Sequence, residues 1–308
     1  MLYPRAPQLT TKHLTNITIR AGNDDYSIPP QIRVMIAHMN NSSTLSLPVV
    51  IFAGGHGTRL GDDSMGMPKP LVNIGPYPIL VHIMSLYLKA GHNEFIICAG
   101  FKATEIKKYF ETFHLNLGTP VFQYSKMKML KGYVETELVD PLQLVNTEFR
   151  VTVVDTGLHT LTGGRLKQIQ NLLKNRRFLC TYGDGLTSLD VNKVIEFHNS
   201  KATSATLTAF HPPSRFGEVI LSEEGNVVSF QEKPLSESYV NGGFFVFENS
   251  IFDFLDSTKS IEYGLLTTLA KSNNLSGYKS NAFWQMMDTP REVKILNELF
   301  ESGAAPWL

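Results

Sequence analysis

The sequence predicts an α/β fold, with a mainly parallel central sheet flanked by helices and a small β-rich subregion towards the C-terminal half. Three observations predict it. Apolar runs of strand length alternate with stretches of helical spacing, as in "VVIFAG" (49–54), "PILVHIMSLYLKAG" (78–91) and "EFIICAG" (94–100). Helices of that length between strands are the crossovers that join parallel neighbours. Three loops that leave strand ends with glycine and a charge (53–70, 155–165 and 183–185) then gather on one face, beyond the carboxyl ends of the strands.

Taken in order, residues 1–47 are rich in Thr, Asn and Pro and lack sustained periodicity, so they are expected to form an atypical N-terminal extension without a catalytic share. Within it, 32–39 could pack as a strand. A single domain is expected over 48–308, beginning with the strand at 49–54. The helix at 78–91 stops at a glycine, and the strand at 94–100 is followed by a helix at 103–113. The stretch 114–148 shows little pattern, and its lysines 126, 128 and 131 read as solvated. Beyond it come a strand (149–157), a helix (165–174), a strand ending in a turn (178–185), a helix (190–199) and a strand (204–210). The elements then shorten: "EVILSEEGNVVSFQEKP" reads as a hairpin turned at 224–226, "GGFFVF" is another strand, and helices near 261–271 and 290–301 close the chain.

Bulk properties narrow the function. Lys plus Arg and Asp plus Glu are equal at 28 each, so no overall charge favours nucleic acid or a membrane surface. No apolar run approaches the roughly 18–20 residues of a membrane span, and no secretory leader is visible. Cys98 and Cys180 lie inside apolar runs, which predicts buried, reduced thiols and a cytoplasmic enzyme. The nine histidines show no ligand spacing.

The chemistry is concentrated in "AGGHGTRLGDDSMGMPKP" (53–70). Gly54, Gly55 and Gly57 expose backbone N–H groups that can cradle phosphate oxygens. No Lys-Ser or Lys-Thr follows at P-loop spacing, and Leu60 stands where a dinucleotide fingerprint needs glycine. What remains is Gly-x-Gly-Thr-Arg, nine residues, then Lys: the spacing of the sugar-1-phosphate nucleotidyltransferases. Arg59 and Lys69, ten residues apart, repel unless an anion lies between them, and a triphosphate meets that need. Arg59 can fork onto the β- and γ-phosphates while Lys69 places a point charge near the α-phosphate, its backbone restricted by Pro68 and Pro70.

Transfer of a nucleotidyl group calls for Mg²⁺ and hence carboxylates. Asp184 in "YGDG" sits at a strand end between two glycines. Asp288 in "MMDTPRE" is left over once Thr289, Pro290 and Glu292 fill the N-cap, N1 and N3 places of a capping box. For a sugar phosphate, Glu232 could accept from hydroxyls, Lys233 could meet the phosphate, Asn241 adds an amide, and Gly217 allows close backbone approach.

With "DTG…TGGRLK" (155–167), "YGDG", "FQEKP", "NGGFF", "FWQMMDT" and the ending "GAAPWL", residues 48–308 resemble the glucose-1-phosphate cytidylyltransferases. The resemblance implies a Rossmann-like nucleotidyltransferase domain acting on CTP and glucose 1-phosphate with Mg²⁺. Thr58, Arg59 and Lys69 would bind triphosphate, and Arg165 the CTP phosphates or base. Asp184 and Asp288 would hold the metal, with Glu232, Lys233 and Asn241 around the sugar phosphate. It also implies a homo-oligomer. Met67 departs from the family, which has a lysine there. UTP, dTTP or GTP, or another sugar phosphate, is the alternative reading, and a non-catalytic subunit on the same fold the third.

Overall fold

The computed structural model describes residues 18–21, 24–27, 46–55, 66–112, 125–130, 133–139, 148–212, 214, 216–232, 234 and 238–308, with backbone alone for 18–21, 24–27, 125–130, 133–139 and 148. The chain forms two compact units, Met1–Leu45 and Ser46–Leu308. In the first, Thr18–Ala21 and Asp24–Ser27 pair antiparallel. The strand expected at 32–39 lies outside the described residues.

The second unit is built on a nine-stranded sheet: β1 (Pro48–Ala53), β2 (Glu94–Ala99), β3 (Ser125–Leu130), β4 (Tyr133–Val139), β5 (Glu148–Asp155), β6 (Phe178–Tyr182), β7 (Ala205–Phe210), β8 (Val240–Phe247) and β9 (Leu275–Ser280). Their spatial order is β9-β7-β8-β6-β1-β2-β5-β4-β3. Only β4 and β8 run against the rest, so the sheet is mainly parallel. Parallel strands buried on both faces need apolar residues at every position. Accordingly all six residues of β1 are buried, with Val49, Ile51 and Ala53 facing one core and Val50 and Phe52 the other.

The helices are α1 (Ile79–Lys89), α2 (Ala103–Glu111), α3 (Thr162–Ile169), α4 (Val191–Asn199), α5 (Thr267–Lys271) and α6 (Pro290–Glu301). The first core takes side chains from α1, α2, α4 and α6. The second takes Leu166 and Ile169 of α3, Leu269 of α5, and Leu265 and Leu266 from the π-helical turn Glu262–Leu266 that leads into α5. Helices therefore cover both faces.

Two expectations need correction. The stretch 114–148 is not patternless, because β3 and β4 form an antiparallel hairpin that extends the sheet through β5, Tyr133 lying opposite Val154. Its residues Tyr133, Val134, Thr136 and Val139 suit a strand, but an edge hairpin depends on a partner already in place, which local sequence does not display. The helix expected at 165–174 begins three residues earlier, at Thr162, and tightens into a 3₁₀ turn over Gln170–Leu173.

Among the described residues no helix is long and apolar enough to cross a membrane. Cys98 and Cys180 are unpaired and buried, and burial pushes the Cys98 thiol up to about 12. Both act as inert core residues.

Candidate active site

The site lies where β1 and β6, neighbours in the sheet, reach their carboxyl ends. Gly183 follows β6 and donates to the Phe52 carbonyl at 2.9 Å, and a Cβ there would stand 2.8 Å from that oxygen. Only glycine lets the two strand ends lie so close. The next residue is Asp184.

A two-stranded ribbon then brings in the second carboxylate. Gly185–Thr187 pairs antiparallel with Trp284–Met286, Gly185 opposite Met286, and the Met287 amide donates to the Asp184 carbonyl at 2.8 Å. A Cβ on Gly185 would meet Met286 Sδ at 2.7 Å, so a larger residue there would have to displace the methionine side chain. Asp288, the residue after Met287, is thereby set beside Asp184 across a gap of over a hundred residues in sequence.

Helix α6 starts at once. Thr289 caps it with a full capping box: the Glu292 carboxylate accepts from the amides of Thr289 (2.8 Å) and Asp288 (2.6 Å), and Thr289 Oγ1 accepts from the Glu292 amide. With capping done by Thr289 and Glu292, the Asp288 side chain is turned to Lys69.

Lys69 completes the centre. It opens a 3₁₀ turn, Lys69–Leu71, after Pro68, whose extended backbone (φ −64°, ψ 136°) sets the entry. Its Nζ donates to Asp184 Oδ2 at 2.7 Å and to Asp288 Oδ1. The Lys69 side chain is only 11% exposed. Burial alone would lower its amine; the Asp184 charge and the bonds to both carboxylates outweigh that and raise it above its ordinary value. Burial pushes the Asp184 carboxyl up, against the pull of Lys69.

Asp184 Oδ1 is buried and has no hydrogen-bond partner. An orphaned carboxylate oxygen next to a second carboxylate fits a divalent cation, which takes more oxygen ligands than one ammonium can replace. No group of three His, Cys, Asp or Glu side chains among the described residues could hold a metal by itself. Two carboxylates leave the other places of such a cation to water and substrate phosphates.

Arg165 lies at the ends of β1, β2 and β5. Its guanidinium is buried and donates to the Ala99 carbonyl (2.9 Å), Thr156 Oγ1 (2.5 Å) and the Gly54 carbonyl (3.2 Å). These atoms belong to the ends of β2, β5 and β1, so one side chain ties together three neighbouring strand ends, including the starts of two of the loops, 53–70 and 155–165, that the sequence placed on one face. Burial lowers the Arg165 pKa from its ordinary value, with Cys98 and Asp155 opposing. The resemblance assigned Arg165 to the CTP phosphates or base. The bonds described for it go to protein oxygens beneath the glycine loop.

Of the remaining expected residues, Gly55 is exposed with open space above its Cα. Gly57, Thr58, Arg59 and Lys233 lie outside the described residues. Asn241 is the second residue of β8, accepts from the Gly243 amide at 3.0 Å, and hydrogen-bonds Tyr182. Gly217 packs on Phe230 and Glu232, where a Cβ would come within 3.0 Å of Glu232 Oε2. Sequence reasoning missed Tyr182, which donates from its hydroxyl to Glu262 at the same strand ends. Burial first, then the Glu262 charge, pushes that phenol far up. Nothing local marks two residues 80 positions apart as partners.

Comparison with known proteins agrees with this architecture. A family model described as nucleotidyl transferase matches residues 48–285. The chain is 42% identical over 264 residues to a glucose-1-phosphate cytidylyltransferase of Salmonella typhi, covering 85% of this chain and 98% of that protein. It is 34% identical over 263 residues to a probable glucose-1-phosphate cytidylyltransferase of Bacillus subtilis, covering 85% and 99%. In fold it is similar to a putative glucose-1-phosphate thymidylyltransferase from Bacillus anthracis (TM-score 0.56, 18% identity, 84% of this chain and 96% of that one). A UDP-glucose pyrophosphorylase is also similar (TM-score 0.59, 15% identity, 84% and 100%). With a lysine and two carboxylates gathered at the strand ends, and relatives matched over nearly their whole length, the chain belongs to the nucleotidyl transferase family.

Proposed function

We propose that this chain transfers the cytidylyl group of CTP to glucose 1-phosphate, giving CDP-glucose and pyrophosphate. The observation that carries the reading is the convergence of Lys69, Asp184 and Asp288 in a chain 42% identical to a glucose-1-phosphate cytidylyltransferase over 98% of its length. A phosphate oxygen of the sugar attacks the α-phosphorus, and pyrophosphate leaves in line. Both substrates are polyanions, so the protein must hold them together and neutralise charge that moves to the leaving group.

In this reading the amides at Gly54, Gly55 and Gly57 receive the triphosphate with Thr58 and Arg59. Lys69 reaches the α-phosphate. Arg165 acts as a positioning residue that fixes the backbone under the loop. Asp184 and Asp288 hold Mg²⁺, which supplies charge neutralisation at the phosphates. Asn241, Glu232, Lys233 and Gly217 form the sugar-phosphate end of the cleft.

The chain works as a homo-oligomer in this reading, supported by its outer hairpin. Glu218–Leu221 and Val227–Gln231 leave Ile220 62%, Val228 67% and Phe230 61% exposed, with Phe216 at 77%. Apolar side chains so exposed along both strands are best covered by another copy. Unpaired buried thiols fit the reducing cytoplasm.

The test is an assay of purified protein with Mg²⁺, glucose 1-phosphate and each nucleoside triphosphate in turn, following pyrophosphate and weighing the sugar nucleotide by mass spectrometry. Product with CTP alone is expected, and product with another nucleotide would overturn the base assignment. Lys69→Ala should lower turnover by on the order of 10²–10³, the effect of losing one transition-state donor. Near-normal turnover would remove Lys69 from the reaction.

A further inference from the structure

Lys69 stands where a metal ion would stand. Its Nζ is bonded to one oxygen of each carboxylate, Asp184 Oδ2 and Asp288 Oδ1. The same ammonium is also required at the α-phosphate, and it cannot serve both places at once. A dication on these carboxylates would repel an ammonium bonded to them. Pro68 and Pro70 restrict the backbone on either side, so the conflict must be resolved within the flexible four-carbon stem of the side chain.

We propose that Lys69 is a resident counter-ion, exchanged for the metal when the site is loaded, so that metal binding and delivery of the ammonium to the triphosphate are a single coupled event. The inference rests on the reading of Asp184 and Asp288 as metal ligands. Before loading, Lys69 neutralises two neighbouring carboxylates that would otherwise repel each other. A metal ion arriving at Asp288 and at Asp184, whose Oδ1 is still unpartnered, displaces it into the cleft. In the other direction, triphosphate oxygens draw the ammonium away and bare both carboxylates. Linkage makes the two effects equal in size, so nucleotide and metal each favour the other's binding. The exchange also discourages metal from settling in the site before a nucleotide is present.

The experiment titrates Mn²⁺, read by electron paramagnetic resonance of the free ion, into wild type and the near-isosteric Lys69→Met without nucleotide. Removing the competing ammonium should tighten Mn²⁺ binding by about tenfold, within the usual range of coupling between two sites. Equal or weaker binding in Lys69→Met, or no binding by either protein, overturns the proposal. A second measurement needs no variant: acetylation of Lys69 by an N-hydroxysuccinimide ester, quantified by mass spectrometry with and without Mg²⁺. Labelling should rise several-fold as the amine is released, and unchanged or reduced labelling overturns the exchange. The cytidylyl assay on the same wild-type preparation separates the two ideas. Turnover with CTP but no gain in Mn²⁺ affinity sinks the exchange alone. Tighter Mn²⁺ binding without CTP turnover sinks the reaction assigned above and leaves the exchange standing.

Discussion

A single methyl group is a sharp probe of the loop after β1. A Cβ on Gly54 would lie 2.1 Å from both Cζ and Nη1 of Arg165, and one on Gly100 would lie 2.6 Å from Nη1. The guanidinium therefore fills the space that two missing side chains leave. It cannot retreat without giving up its bonds to Ala99, Thr156 and Gly54. Gly54→Ala should leave the protein folded, because the collision is at the rim of the sheet. It should lower kcat/KM for CTP by roughly 10²-fold, the cost of shifting a positioning group by about 1 Å. Steady-state kinetics with a circular-dichroism control check this. Activity within a few-fold of wild type would mean that the loop tolerates displacement and that Arg165 does not set its shape.

At the scale of elements, helix α6 shows how far local signals reach. Its capping box was legible in the sequence, and that isolated Asp288 as a side chain with other work; the structure turns it to Lys69. Strands β1, β2 and β6 were legible because burial on both faces demands unbroken apolar runs, a signal carried within each segment. The hairpin of β3 and β4 was not, since its pairing partner supplies the order. Lys69 lies 115 residues from Asp184 and 219 from Asp288, so its capture by both carboxylates has no local trace. The ending "GAAPWL" carried a resemblance but no visible reason. After α6, Gly303 takes a left-handed turn (φ 70°), and Trp307 folds back, stacks near Phe283 and donates to His82 Nδ1 at 3.3 Å. Since α6 itself fully buries only Leu296, the tail fastens the helix whose N-cap directly follows Asp288. Trp307→Ala should cost about 3–5 kcal/mol of stability, as for other buried Trp to Ala changes, measured by urea unfolding. A loss under about 1 kcal/mol would show that the helix is held without its tail.

For the molecule as a whole, buried histidines set the response to acid. Burial lowers the pKa of His82, His92 and His198, and His92 falls to about 4. His92 Nδ1 accepts from the Leu47 amide, while its Nε2 is buried without a partner, so a charged ring has no place in the folded state. In the unfolded chain each ring regains a pKa near 6.5. The unfolded state therefore takes up protons that the folded state refuses, and stability falls as pH drops from about 6.5 towards 4. His92 alone should remove on the order of 2 kcal/mol between pH 7.5 and pH 5. Glu248 acts in the same direction at lower pH: burial pushes it up, but bonds from Arg177 and His198 hold it below its ordinary value. Asp184, raised by burial, works the other way, because the folded state binds its proton more readily. One raised carboxyl against three lowered imidazoles leaves the acid side destabilised. Equilibrium urea unfolding of wild type and His92→Gln at pH 7.5 and 5.0 separates the contributions. The variant is less stable at both values, having lost the ring at Leu47, but the difference between the two pH values should shrink by about 2 kcal/mol. An unchanged difference would mean that His92 charges as readily inside the protein as outside, and that the acid response belongs to His82, His198 and the carboxylates.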